Sequence, residues 1–88
     1  MTGYFLSEEE MNALGYEYLY SKKIKEAIAI FKMNVEAFPD SWNAYDSMGE
    51  TYAAAGEKEL AIKNYEKSLQ LNPNSQSGIE ALNKLKAK

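Results

Sequence analysis

Residues 7–39, SEEEMNALGYEYLYSKKIKEAIAIFKMNVEAFP, and residues 41–73, SWNAYDSMGETYAAAGEKELAIKNYEKSLQLNP, align without a gap. Ser7, Gly15, Tyr18, Ala27, Ile28 and Pro39 recur as Ser41, Gly49, Tyr52, Ala61, Ile62 and Pro73, each 34 residues on. The apolar class is kept between them: Met11 with Tyr45, Leu14 with Met48, Phe31 with Tyr65, Val35 with Leu69. A fixed period of this length marks a stack of helical supersecondary units.

Each unit divides into two helices. Met11, Leu14 and Tyr18, then Ile24, Ala27, Ile28, Phe31 and Val35, fall at helical spacing, and Tyr45, Met48 and Tyr52, then Leu60, Ala61, Tyr65 and Leu69, repeat it. Ser7 with Glu10 reads as a capping box, flanked by Leu6 and Met11 as a hydrophobic staple, which starts the first helix near Glu8. Pro39 and Pro73 lack the amide a helix interior needs and so end each hairpin, while Asp40-Ser41 and Asn74-Ser75 supply the next N-caps. Gly15 and Gly49 lie inside helices, where glycine costs about 1 kcal/mol against alanine. Close approach of a second helix offsets that cost, and the small Ala27 and Ala61 fit the same account.

The pattern Met11-x2-Leu14-Gly15-x2-Tyr18, Ala27-x3-Phe31, Pro39 resembles the tetratricopeptide repeat, and Tyr45-x2-Met48-Gly49-x2-Tyr52, Ala61-x3-Tyr65, Pro73 resembles it again. Met11 and Tyr45 stand where the family usually has tryptophan, Lys22 replaces the glycine between the helices of the first unit, and Asn34 replaces a customary small residue. The first unit is the less regular. Residues 76–86 form one more amphipathic helix, with Ile79, Leu82 and Leu85 on one side and Ser77, Glu80 and Lys84 on the other, similar to the helix that closes such arrays. The expected fold is all-α: antiparallel hairpins stacked as a short right-handed solenoid. Its parts are an N-terminal extension (1–7), two repeats (8–41 and 42–75), and a capping helix and tail (76–88).

Composition narrows the function. The 88 residues contain no cysteine and no histidine, which removes disulfides, the usual zinc sites, thiol nucleophiles and the base that titrates nearest neutrality. A net charge of −3 argues against a nucleic-acid partner, which needs a concentrated basic surface. The Lys84, Lys86, Lys88 run reads as a solvated last turn. No apolar stretch approaches the roughly 20 residues that span a bilayer, and residues 1–6 lack the regions of a signal peptide, so a soluble chain is expected. The compartment stays open. Neither a cofactor nor catalysis is expected.

In the family, the first helix of each hairpin lines the concave face. By that resemblance Glu9, Asn12, Tyr16 and Tyr20 stand beside Asn43, Asp46 and Glu50, with Glu80 and Lys84 continuing the groove. Relatives that hold acidic chaperone tails use a clamp of lysine, asparagine and arginine there. This sequence has Asn12 and Asn43 but acidic Asp46 and Glu50, and no arginine. The expected partner is therefore a neutral or basic protein or peptide. Tyr16 and Tyr20 read either as an aromatic shelf for a peptide or as packing between helices. Asp46 and Glu50 read as an acid-base or calcium pair, or, by the stronger account, as a solvated helix face. Trp42 reads as an exposed anchor or, preferably, as cover for the hairpin junction.

The N-terminal side carries Tyr4, Phe5 and Leu6 before a helix without a covering partner. Three arrangements satisfy it: a preceding segment of a longer protein, fold-back of residues 4–6, or a second copy of the chain in a homodimer. Residues 14–71 also resemble the segments appended to the C-terminal side of bacterial serine hydrolases and related penicillin-recognising enzymes. That resemblance implies a structural or oligomerising appendage as the alternative function.

Overall fold

A computed structural model describes residues 6–87, and the expectations for Tyr4 and Phe5 lie outside them. Helices α1 (Glu8–Tyr20), α2 (Ile24–Ala37), α3 (Trp42–Ala54), α4 (Lys58–Leu71) and α5 (Gln76–Lys86) follow one another as antiparallel neighbours. The molecule measures 46 × 27 × 17 Å, elongated because each hairpin touches only the next.

The starts of α1, α3 and α5 are fixed by serines. Glu10 N–H donates to Ser7 Oγ at 3.1 Å and Ser7 N–H donates back to Glu10 Oε1 at 2.9 Å, closing the capping box. Ser41 Oγ accepts from Ala44 N–H at 3.2 Å and Ser75 Oγ from Gly78 N–H at 3.3 Å. Ser41 Oγ also donates to Glu8 Oε2, which ties the head of α1 to that of α3.

Both hairpins turn through the same motif. Lys23 N–H reaches the Tyr18 carbonyl at 2.9 Å and Lys22 N–H the Leu19 carbonyl at 3.0 Å; in the second hairpin Glu57 reaches Tyr52 at 2.9 Å and Gly56 reaches Ala53 at 3.1 Å. This pairing needs one left-handed residue after the C-cap. Gly56 supplies it at φ 80° without cost, whereas Lys22 adopts it at φ 64° against its own Cβ.

The core runs along the seams. Leu19, Ala27 and Phe31 of the first hairpin close over Met48 of the second, with Tyr16, Tyr18, Ile24, Ile28, Val35 and Tyr52 packed around them. A Cβ on Gly15 would lie 2.5 Å from Phe31 Cζ, and one on Gly49 2.9 Å from Tyr65 Cδ2. The two glycines therefore admit an aromatic ring from the facing helix, the close approach expected of them. α5 packs on α4 with Gly78 buried, Ile79, Leu82 and Leu85 turned inward, and Ser77, Glu80 and Lys84 exposed.

At the other end, Leu6 is 39% exposed and, with Glu10, Ala13, Leu14 and Glu17, borders an open hollow of about 510 Å³ on α1. The residues 34 positions on from the four of α1, Ala44, Ser47, Met48 and Thr51, are all buried, with Met48 in the core between the hairpins. Trp42 is 36% exposed and its carbonyl accepts from Ser68 Oγ at 2.8 Å. The residue of the first hairpin matching Ser68 is Asn34, fully buried, with neither amide atom hydrogen-bonded.

Candidate functional site

α1 and α3 lie side by side, and a polar chain crosses between them. Ser47 Oγ donates to Asn12 Oδ1 at 2.7 Å. The Tyr16 hydroxyl lies 2.8 Å from Glu50 Oε1 and 3.1 Å from Ser47 Oγ. Its single proton favours the carboxylate, the charged acceptor. The structure thus brings together Asn12, Tyr16 and Glu50, and adds Ser47. Repeat alignment pairs Asn12 with Asp46, but the stagger of the helices gives Asn12 to the residue after it. No motif marks Ser47, whose counterpart in the first unit is Ala13.

Asp46 points elsewhere. Its Oδ1 is shielded from solvent without a hydrogen-bond partner and lies 3.4 Å from where a Cβ on Gly78 would stand, against the first turn of α5. Burial, followed by the charge of Glu50, raises its pKa above the ordinary aspartate value. This corrects the expectation of a solvated Asp46/Glu50 face: both side chains are half-buried, one against α5 and one under the Tyr16 hydroxyl. Burial likewise pushes the Tyr16 and Tyr65 phenols up, helped by the same two carboxylates. Among the described residues no group of three or more acidic side chains is placed to hold a metal ion.

The two tyrosines of α1 separate in role. Tyr16 is half-buried, edge-on to Phe31 with centroids 5.1 Å apart, and so belongs partly to the core. Tyr20 stacks on it at 5.7 Å and is 73% exposed. Beside Tyr20 opens a hollow of about 450 Å³ bordered by Leu19, Lys22, Ile24, Glu50 and Ala54. Its apolar wall escaped sequence reasoning because Leu19, Ile24 and Ala54 come from three different helices or their ends. Glu9 is exposed and Asn43 half-buried, and neither side chain joins the network.

Residues 42–75 match the tetratricopeptide repeat family. The fold agrees over nearly the whole chain: 92% of it superposes, with a TM-score of 0.85 and 25% identity, on the first such domain of Spaghetti (RPAP3), solved bound to the HSP90 peptide SRMEEVD. Residues 42–75 are thus a tetratricopeptide repeat, and the chain as a whole has the fold of that family. The chain is 34% identical over 64 residues to PYG7, a chloroplastic tetratricopeptide repeat domain-containing protein of Arabidopsis thaliana, and 33% identical over 61 residues to human superkiller complex protein 3. Those alignments take in 73% and 69% of this chain. The chain spans 21% and 4% of the length of these two relatives and 64% of the matched structure. Nothing in these relatives supports an origin in a serine hydrolase. Among the described residues no helix is long and apolar enough to cross a membrane.

Proposed function

We propose that this tetratricopeptide module is a non-catalytic interaction domain that takes an extended, neutral or basic peptide across the face formed by α1, α3 and α5. The observation that carries the reading is the superposition of 92% of the chain on a domain solved with a bound peptide. The contacts come from Glu9, Asn12, Tyr16, Tyr20, Asn43, Asp46 and Glu50, with Tyr20 the most open of them. The peptide in that neighbouring structure, SRMEEVD, is acidic. Here Asp46 and Glu50 hold the middle of the face and the chain has no arginine, so like charges oppose an acidic tail. Fluorescence anisotropy with a random peptide library, with SRMEEVD and with SRMKKVK, in which lysine replaces its three acidic residues, tests both parts. Binding of basic members and not of SRMEEVD is expected. Equal binding of SRMEEVD overturns the charge preference, and no binding from the library overturns the groove.

The hollow on α1 favours a second reading, self-association through the N-terminal side, since the same positions of α3 are buried in a seam. Glu10 and Glu17 stand where α3 has Ala44 and Thr51, and burying them opposes a stable dimer. Light scattering across a concentration series decides. A dimer abolished by Leu14→Glu establishes the reading, and a monomer at every concentration retires it.

A further inference from the structure

We propose that the hollow between Tyr20, Ile24 and Glu50 is a socket for a single arginine side chain of the bound peptide. The proposal rests on the groove reading above and adds to it one residue type at one place.

Glu50 supplies the charge. Its Oε1 accepts the Tyr16 hydroxyl, and among the described residues no lysine lies within 4.0 Å of it; the one ion pair there, Lys86 with Glu66, is elsewhere on the molecule. A carboxylate is acceptor-only, so an occupant must bring donors. Lys22 stands at the rim with its side chain exposed, where water screens its charge far more than that of the half-buried Glu50 carboxylate.

The remaining walls suit the rest of an arginine. Leu19, Ile24 and Ala54 offer apolar surface to the three-methylene stem. Tyr20, stacked on Tyr16 and 73% exposed, offers an aromatic ring held in place at little further cost in entropy. A guanidinium stacks on such a ring while donating to a carboxylate with its planar fork; an ammonium, more strongly hydrated, does both less well. An apolar residue fills the same volume but shields Glu50 from water without offering a donor to its remaining oxygen, which disfavours it.

N-acetyl-arginine methylamide is the probe, with the citrulline analogue, uncharged and of the same shape, as control. Both are titrated into isotopically labelled protein and followed by NMR. Saturable shifts at Leu19, Ile24 and Ala54 are expected, with arginine bound roughly five- to tenfold more tightly than citrulline, the scale of one charge-assisted hydrogen bond. Glu50→Gln retains an acceptor for the Tyr16 hydroxyl, and should erase that preference by weakening arginine more than citrulline. Tyr20→Leu, at an exposed position, should weaken arginine several-fold. Equal affinity for the two probes, indifference to Glu50→Gln, or shifts confined to other surfaces each overturn the socket. Peptides crossing the groove with no response of their affinity to arginine at this site retire the socket alone. Arginine-selective shifts in a protein that binds no library peptide uphold the socket and retire the groove.

Discussion

The ring of Phe31 occupies the space that a side chain at position 15 would need: its Cζ lies 2.5 Å from the place of a Cβ on Gly15. Phe31 is fully buried and has nowhere to retreat. Gly15→Ala gains about 1 kcal/mol of helix propensity but overpacks the seam, and a net loss of about 1–2 kcal/mol is expected. Gly49→Ala meets Tyr65 at 2.9 Å and should lose less. Urea denaturation of both variants checks the order, and Gly15→Ala combined with Phe31→Leu should lose less than the sum of the single changes.

Lys22 and Gly56 occupy the same place in the two turns, and only the glycine is at ease there. Lys22→Gly should stabilise the module by about 1 kcal/mol, since it removes the left-handed strain at some cost in unfolded-chain entropy. Gly56→Ala should destabilise it by a similar amount. A shift in the urea midpoint at constant slope is the readout.

Asn34 pays for burial without hydrogen bonds, whereas Ser68, its counterpart, bonds the Trp42 carbonyl. Asn34→Ser brings the side chain to the size of its counterpart and removes an unpartnered amide. A gain of about 1–2 kcal/mol is expected, the scale of an unmade buried hydrogen bond. Thermal melting monitored by circular dichroism measures it; a lower melting temperature would show that the amide has a stabilising role.

Asp46 is held protonated to higher pH in the folded chain than in the unfolded one, by burial first and the Glu50 charge second. In the window just above the ordinary value of 3.8 the native state binds more protons, so this group's contribution to stability falls as pH rises and levels off above the native pKa. Asp46→Asn should remove that decline and raise stability at neutral pH. The difference between wild-type and variant unfolding free energies, followed from acid to neutral pH, isolates the group from the other carboxylates.

Much of this architecture was legible in the residues. Pro39 and Pro73 forbid continuation, Ser7, Ser41 and Ser75 cap, and Gly15 and Gly49 announce the close approach of a second helix, because each acts through its own backbone chemistry or its small size; that the rings of Phe31 and Tyr65 fill the space is a fact of the packing. The candidate face was legible only as a set of positions. The family resemblance placed Asp46 and Glu50 side by side on it, yet only Glu50 takes the Tyr16 hydroxyl, while Asp46 turns to the space left by Gly78.

The sequence by itself determined the number of helices, their limits and the order in which they stack, since a 34-residue period repeats the same local signals at the same offsets. The tertiary structure alone decided which polar side chains bond one another across the face and which stand open. That choice depends on the stagger of α1 against α3, which pairs Asn12 with Ser47 and Tyr16 with Glu50 and leaves Tyr20 open beside the hollow. Periodicity places a residue on a face, but the packing distance between helices sets which side chains reach each other across it.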